Sequence, residues 1–544
     1  MTNTAKVYLN INSITKKISP MIFGSFIEHV GECIHDGIWS YGKTVLPLAD
    51  HPELDKIRWD LLNAMINLRP ALIRWPGGCY ADVYHWKDAI GPRSTRKKLP
   101  NSFWSNWSEQ LLSGISELPR SQFDADNTRE FKRRISHDVH NQFGTLEFLT
   151  LCEEVLAIPY ITVNYGSGTP GEAADWVEYC NGNPDSSFGE LRTAHGRRSP
   201  FNVPIWGIGN EIYLENEQGY EKNPSDYGKR YMQFAQEMKK KDPSIKLVGC
   251  GWNQGDWNER FLKEVDSNYI DYLSIHQYLP FPADLNLLSE SNHPDNELVY
   301  HAMMAAPFEI KKQILKAWNS IVRRFGERPR VRIAFDEWGI WYTLGDMVKA
   351  NYNLQDGIFA GLVLMLFQRF SDICPIGLWS MLVNSLGMIR TDATGLILTP
   401  IYQVFKLFKD HTYNNLIENI SVESDQFDSE EFGQVKKISG NPTIECSATC
   451  TDDGGKLALM LINKSISESV SVELRIKAFM FFKNGKIVEY TSSSPFDYNT
   501  EEEREKIEVS EKEISTINAD MTLTLKPHSI TILKMIKLDL GISI

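Results

Sequence analysis

The chain has 544 residues, 42% of them hydrophobic, with 57 Lys and Arg against 70 Asp and Glu for a net charge of −13. That length exceeds one ordinary hydrophobic core and calls for two or three domains, and the composition is that of a folded protein rather than a disordered one. An acidic balance repels phosphate backbones and anionic lipid, so neither nucleic acid nor membrane is expected as a partner.

Two small basic clusters, 93–98 and 132–134, fall in polar, loop-like stretches and read as solvated surface. The N-terminal stretch has no apolar segment of signal-peptide length, and the longest apolar run, 359–367, is too short to span a bilayer. Eight irregularly spaced cysteines, mostly in apolar surroundings, point to a reduced, cytoplasmic protein without a disulfide framework. Cys446 and Cys450 have no second pair nearby to complete a zinc site.

In chain order, a β-rich run at 6–11 comes first. Apolar strand-like runs follow at 21–26, 71–75, 159–164, 203–209, 246–250, 272–276, 331–335 and 376–379. Helical patterns lie between them at 52–68, 145–156, 225–241, 307–325, 355–370 and 400–409, with Pro224-Ser225 and Thr399-Pro400 as start signals. Eight strands alternating with helices predict an α/β fold, a (β/α)8 TIM barrel. A doubly wound open sheet is the alternative, because counting strands does not establish closure. Past about residue 412 the runs become short and β-rich, at 456–463, 470–476, 479–482 and 521–525, with an exposed charged stretch at 501–506. These predict a C-terminal antiparallel β-sandwich, which the run at 6–11 is placed to join. The expected domains are 1–19 as a strand joining the sandwich, 20–411 as the catalytic barrel and 412–544 as the sandwich.

Gly166-Ser167-Gly168-Thr169-Pro170-Gly171 fits the glycine pattern of a dinucleotide-binding turn. Such a fold needs a strand ending in an acidic residue about 20 positions on, where this chain has the loop-like NGNPDSSFGE. The glycines therefore read as a strand-to-helix turn at the barrel mouth, with Pro170 in the first helical turn.

In a (β/α)8 barrel the C-terminal strand ends converge on one mouth. The fourth strand, PIWGIGNEIY, exits into Asn210-Glu211, and the seventh, RIAFDEWGIWY, into Asp336-Glu337. A carboxylate at an apolar strand's exit is costly unless paired, and a site needing a perturbed carboxylate tolerates that cost. Either glutamate alone is equally compatible with capping a strand or pairing with arginine. Two of them facing across one mouth supply the acid and the nucleophile of glycoside hydrolysis. Other strand ends add Glu28-His29, Arg74 with Cys79, and His276-Gln277-Tyr278. An arginine beside a nucleophilic glutamate holds it ionised, and a tyrosine hydroxyl can orient it. Trp206, Trp252, Trp338, Trp341 and Trp379 fall near the same rim, where aromatic rings suit apolar sugar faces. Trp338, next to Glu337, is counted among the substrate-binding residues.

At these residues the chain resembles glycoside hydrolase family 51, the α-L-arabinofuranosidases. The resemblance rests on FGSFIEHVGECIHDGIW, IRWPGGCYADVYHWKDAIGPR, WGIGNEI, SIHQY, FDEWGIWY and LVNSLGMIRTDATGLILTPIYQVF, six blocks in family order. It implies a retaining mechanism with Glu211 as general acid/base and Glu337 as nucleophile. It also implies that Glu28, Arg74, Cys79, Asn210, His276 and Tyr278 line the sugar subsite. Asn210 would contact the furanose 2-hydroxyl, and Tyr278 and Arg74 would hold Glu337. A barrel with a C-terminal β-sandwich, a cytoplasmic homo-oligomer, no cofactor and no metal are implied as well. The chain departs from the family at Met381, where glutamine is common, and at Gly339, where asparagine is usual. The stretch 87–141, with Phe103, Trp104 and Trp107, either covers the site or packs outside the barrel.

The expected function is exo-acting release of terminal non-reducing α-L-arabinofuranosyl residues from arabinose-containing oligosaccharides. The rivals are a β-glucan or xylo-oligosaccharide hydrolase on the same barrel and a catalytically silent sugar-binding protein. A metal-dependent sugar isomerase using Glu28, His29 and His276 is a further one.

Overall fold

The computed structural model describes residues 3–11, 14–41, 50, 52–115, 125–281, 296–477, 482–515 and 517–537. Eight parallel strands stand at the eight expected runs: β1 Gly24–Phe26, β2 Leu72–Trp75, β3 Ile158–Val163, β4 Ile205–Ile208, β5 Lys246–Cys250, β6 Tyr272–Pro280, β7 Arg332–Trp341 and β8 Ile376–Trp379. They pair in sequence order and β8 pairs back onto β1, so the sheet is a closed barrel and the open doubly wound alternative falls. The first strand is shorter than expected because Pro20–Phe23 turns as a 3-10 helix, capped by Ser19. β6 and β7 run several residues past their expected ends and stay paired as far as Pro280 and Trp341.

Inside the barrel, Leu72, Tyr160, Ile205, Val248, Ala334, Ile376 and Leu378 form a separate apolar cluster. Side chains alternate along a strand, so the next inward layer comes two residues on. It is polar: Arg74, Thr162, Ser274 and Asp336, all buried. Here β7 breaks register with both neighbours. Opposite Ser274 and His276 of β6 stand Ala334 and Glu337, and opposite Gly377 and Trp379 of β8 stand Phe335 and Trp338. β7 thus carries one residue more than either partner, a β-bulge, which re-aims the side chains after it. Both Asp336 and Glu337 consequently meet groups of the barrel interior.

The bulge also corrects the expectation for Trp338. Its ring is fully buried, edge-on to Trp379 at 5.0 Å, stacked on Phe405 and against Phe367 of the surrounding helices. It is core and not sugar platform. Trp206 and Trp379 are likewise fully buried in the main core cluster.

Four helices begin where the sequence signals them, with proline in the first turn of Pro170–Asn181, Pro224–Lys241, Pro307–Phe325 and Pro400–His411, whereas the pattern expected at 52–68 becomes helical only over Trp59–Leu68, after a turn that follows Pro52. The glycines of 166–171 form the expected turn into Pro170–Asn181, with Thr169 as N-cap. The basic cluster at 93–98 is not all solvated surface. Arg96 is buried and pairs through both terminal nitrogens with buried Glu147, which caps the helix Thr145–Val155. All eight cysteines are free thiols, seven of them buried. Among the described residues no helix is long and apolar enough to cross a membrane.

The C-terminal part forms a seven-stranded and a four-stranded sheet. Strand Asn3–Asn10 lies inside the four-stranded sheet, antiparallel to Ile420–Glu423 but parallel to Val470–Lys477, the one departure from an antiparallel pattern in that sheet. Ile14–Lys17 joins the other sheet beside Asn415–Ile417. Of the run expected at 479–482, residues 479–481 lie outside the described residues, and a strand Phe482–Tyr490 begins at its end. The central strand Lys456–Asn463 shows how the two domains share a sheet. Leu457, Leu459 and Leu461 face the sandwich core, whereas Ala458, Met460 and Ile462 belong to the barrel's core cluster. Ile462 is fully buried on that shared face. Ile462→Ala is therefore expected to cost about 2–5 kcal/mol, read as a lowered midpoint in chemical denaturation.

Candidate active site

Arg74, on β2, is the buried cation of the site. Its Nη1 donates to Glu337 Oε1 at 2.8 Å, its Nη2 to Asn210 Oδ1 at 2.5 Å and its Nε to Thr162 Oγ1 at 2.9 Å. Asp336, from the same bulge as Glu337, lies 3.9 Å from Nη1 and accepts from the Tyr160 and Ser274 hydroxyls at 2.8 and 2.5 Å. Burial opposes charge on Asp336, yet hydrogen bonding to His276 and the nearby Arg74 outweigh it and hold the carboxyl at about 2.

His276, on β6, links the acids. Its Nδ1 is 2.8 Å from Glu211 Oε1 and 3.7 Å from Glu337 Oε2, and its Nε2 lies 3.0 Å from Ser274 Oγ and 3.3 Å from Asp336 Oδ1. Burial pulls the imidazole down, but Glu337, Asp336 and Glu211 together raise it to about 10. Tyr278 Oη donates to Glu337 Oε2 at 2.8 Å and shares a 2.6 Å hydrogen bond with Ser380 Oγ. Burial pushes Glu337 above the ordinary carboxylate range, opposed by His276, Arg74 and Tyr278. The carboxylate oxygens of Glu211 and Glu337 approach within 4.8 Å.

Glu211 sits just beyond β4 with a backbone φ of 42°, in the left-handed region that a non-glycine residue enters only where its surroundings enforce it. Asp82 supplies much of that enforcement. Its carboxylate accepts from the backbone N–H of Asn210, Tyr165 and Gly166 at 3.0, 2.8 and 3.2 Å. Arg74 takes the oxygen of the Asn210 side chain, and the amide nitrogen faces Cys79 Sγ at 3.9 Å.

A cavity of about 430 Å³ opens over these groups, with Glu28, Cys79, Glu211 and Glu337 among its lining. Glu28 accepts from the Tyr80 backbone N–H at 2.8 Å, and burial raises its carboxyl to about 8, so it is neutral and able to donate at neutral pH. Gly77 and Gly78 make room for it: a Cβ on either would come within 2.6 Å of the Glu28 side chain. Met381, at a position where the resemblance leads one to expect glutamine, adds an apolar surface with Leu386 and Trp341. At Gly339 a Cβ would stand 3.1 Å from the Ser380 carbonyl oxygen, so the approach of β7 and β8 disfavours a larger residue. Trp104 and Trp107 line the same cavity, so the helix that carries them, within the stretch 87–141, is part of its cover.

The structure thus brings together Glu211, Glu337, Glu28, Arg74, Cys79, Asn210, His276 and Tyr278, and leaves out Trp338. His29 is also turned away, stacked on Tyr84 and tilted against Tyr80 and Trp75, so the trio Glu28, His29 and His276 is not assembled as metal ligands. Glu211, His276 and Glu337 do have the donor types of a metal site, as do Cys79, Glu211 and Glu217. In the first group the surrounding carboxylates hold the imidazole protonated, and a metal would have to displace that proton.

Several residues at the site carried no assignment from sequence. Asp336 was visible as an acidic neighbour of Glu337 but had no role. Asp82, Thr162, Tyr160 and Ser274 act from positions that only the inward alternation of the strands and the loop after β2 could have marked. Glu217 lies in the run ENEQ beside the more exposed Glu215, with nothing in the letters to separate them. In the structure it is buried, its Oε2 has no hydrogen-bond partner among the described residues, and burial followed by the Glu211 charge raises its carboxyl well above the usual range.

Comparison with known proteins agrees with this geometry. A family model described as the α-L-arabinofuranosidase 1 domain matches residues 64–291, and one described as the α-L-arabinofuranosidase C-terminal domain matches residues 336–529. The chain is 30% identical to an intracellular exo-α-L-arabinofuranosidase of Bacteroides ovatus over 73% of this chain and 71% of that protein. It is also 30% identical to α-L-arabinofuranosidase C of Emericella nidulans over 85% of this chain and 84% of that one. The crystal structure of an α-L-arabinofuranosidase from Thermotoga maritima in complex with arabinose superposes with a TM-score of 0.83 at 31% identity, covering 98% of this chain and all of that one. A family 51 enzyme of Thermotoga petrophila superposes equally well. The chain belongs to the α-L-arabinofuranosidases of glycoside hydrolase family 51.

Proposed function

We propose that the chain is a retaining, exo-acting α-L-arabinofuranosidase that releases terminal non-reducing α-L-arabinofuranosyl residues from arabinose-containing oligosaccharides. The observation that carries the retaining mechanism is the approach of the Glu211 and Glu337 oxygens within 4.8 Å. Retention needs carboxyl groups about 5–5.5 Å apart, whereas inversion leaves room for water at roughly 6.5–9.5 Å. The substrate class is supported by the family and by the sugar named in the relatives.

In the first step Glu337 attacks the anomeric carbon as the glycosidic bond breaks, and Glu211 delivers a proton to the leaving oxygen. His276 Nδ1, 2.8 Å from Glu211 Oε1, orients the carboxyl that makes this transfer. In the second step water attacks the glycosyl-enzyme, Glu211 takes its proton and Glu337 departs. Arg74 and Tyr278 each hold one oxygen of Glu337, so the nucleophile is oriented and its charge offset before substrate arrives. The Asn210 amide nitrogen, with its oxygen committed to Arg74, is left to donate to the furanose 2-hydroxyl. Neutral Glu28 and Cys79 would face further hydroxyls.

Catalysis is assigned to 20–411, with 1–19 and 412–544 forming the sandwich. A cytoplasmic location and homo-oligomeric assembly complete the proposal; the relatives from Bacteroides ovatus and Halalkalibacterium halodurans carry "intracellular" in their names.

Glu337→Ala should abolish turnover of 4-nitrophenyl α-L-arabinofuranoside, measured beside other 4-nitrophenyl glycosides. Turnover of another glycoside alone would keep the barrel chemistry and overturn the sugar. Glu211→Ala should slow glycosylation by about 10²–10⁴-fold for leaving groups that need a proton and much less for activated ones; equal losses would refute its role as acid. Tyr278→Phe removes a hydrogen bond that favours the ionised form of Glu337. The nucleophile then protonates at higher pH, and the acidic limb of the kcat/KM profile moves upward. A limb that stays in place or moves down speaks against Tyr278 as the group that holds Glu337.

A further inference from the structure

Beyond β4 the chain winds through successive tight turns. The Leu214 N–H donates to Glu211 O at 2.8 Å, the Glu217 N–H to Leu214 O at 3.0 Å and the Tyr220 N–H to Glu217 O at 3.1 Å. Residues three apart stack on one side of such a winding, and Glu211, Leu214 and Glu217 all line the cavity that holds the nucleophile. Cys79, from the segment after β2, meets them there. Its sulfur and one carboxylate oxygen from each of Glu211 and Glu217 lie within 4.8 Å of one another.

The hydrolytic cycle gives Glu217 no task, yet the residue is only 5% exposed and its Oε2 has no hydrogen-bond partner among the described residues. A buried polar atom left unsatisfied is destabilising, and a ligand can complete it. The lining selects the kind of ligand. It includes four glutamates, Glu28, Glu211, Glu217 and Glu337, and no lysine, arginine or histidine, so it attracts a cation. One thiol with two carboxyls is a donor set for zinc. That ion takes sulfur at about 2.3 Å and carboxylate oxygen at about 2.0–2.2 Å, and binds with three protein ligands and an open fourth position. Magnesium and calcium bind oxygen and gain nothing from Cys79. Burial holds the Cys79 thiol and the Glu217 carboxyl in their neutral forms, so zinc enters in exchange for their protons. Because Glu217 Oε2 is uncommitted, the carboxyl can offer it to an ion without giving up a hydrogen bond.

We propose that Cys79, Glu211 and Glu217 form an inhibitory site for zinc, and that an ion there silences the enzyme by occupying its acid/base. The inhibition rests on the reading of Glu211 as the acid of an arabinofuranosidase; the binding does not. A carboxylate bound to zinc carries no proton for the leaving oxygen, and Cys79 is withdrawn from the sugar, so zinc and substrate exclude each other. Metal-free enzyme, prepared with EDTA and freed of the chelator, is titrated with zinc chloride during hydrolysis of methyl α-L-arabinofuranoside, whose leaving group needs the proton. Magnesium chloride is run in parallel. Zinc should inhibit competitively and reversibly, and magnesium should not. Glu217→Gln, nearly isosteric, should raise the zinc concentration for half-inhibition by at least about tenfold, the scale on which even a supporting residue of a metal site acts. Binding is read apart from activity with cobalt(II), whose thiolate complexes absorb in the near ultraviolet. That band should appear in the wild type, weaken in Glu217→Gln and vanish in Cys79→Ser. No inhibition by zinc, equal inhibition by magnesium, unchanged zinc sensitivity in Glu217→Gln or a cobalt band that survives Cys79→Ser would each overturn the site. A chain that shows the expected band but hydrolyses no arabinofuranoside would overturn instead the reading of its activity.

Discussion

Arg74 is the cation around which the barrel's upper layer is organised, because the buried carboxylates Asp336 and Glu337, the partly buried Glu211 and one imidazole stand within a few ångströms of each other there. Taking a charge out of water costs several kcal/mol even after relaxation, and removing one partner of a buried pair typically costs about 3–5 kcal/mol. The structure meets this cost by leaving few of these groups with a single partner. Arg74 reaches Glu337, Asn210 and Thr162, and Asp336 is met by Tyr160, Ser274 and His276. The apolar cluster beneath, from Leu72 to Leu378, gives the network a dry floor, where each of these interactions is stronger than it would be in water. Fold stability and nucleophile ionisation are thus served by the same hydrogen bonds.

Much of this was legible in the letters. Apolar runs with polar exits mark the eight strands, and proline and capping residues mark the helix starts, because both signals are local. The acid pair was legible because each glutamate closes such a run. The failures came where a local rule met a non-local one. Alternation alone gives no sign that Asp336 and Glu337 both turn inward, since the extra residue of β7 is defined only against β6 and β8. Trp338 was misplaced for that reason. Arg96 looked like a surface cation because its partner, Glu147, is 51 residues away. Asp82 is a polar residue in an irregular segment, and its work lies in backbone groups that only the folded loops bring to it.

The C-terminal domain is more than a buttress. Its strand Lys456–Asn463 offers one face to its own core and the other to the barrel helices, so the two cores have no solvent layer at that strand. Gln434, next to Gly433, sits against Pro280 at the end of β6, the strand that carries His276 and Tyr278. The helix Ser102–Ile115 brings Trp104 and Trp107 to the lining of the cavity that holds Glu337. The barrel supplies the reacting groups, while segments outside the eight strands shape what reaches them.

The parallel pairing of Asn3–Asn10 with Val470–Lys477 has a consequence for the order in which the molecule can be made. Asn3 meets Val470, a separation of 467 residues. A ribosome adding 5–20 residues per second needs roughly half a minute to a minute and a half to span that gap. For most of that interval the barrel can close while the early strand has neither of its sheet neighbours, and Ala5, Val7 and Leu9, fully covered in the finished protein, stay without their core. An apolar, unpaired strand is the kind of segment that nascent-chain chaperones hold. Chain synthesis therefore places a strand made before the barrel only after the barrel's own strands are complete.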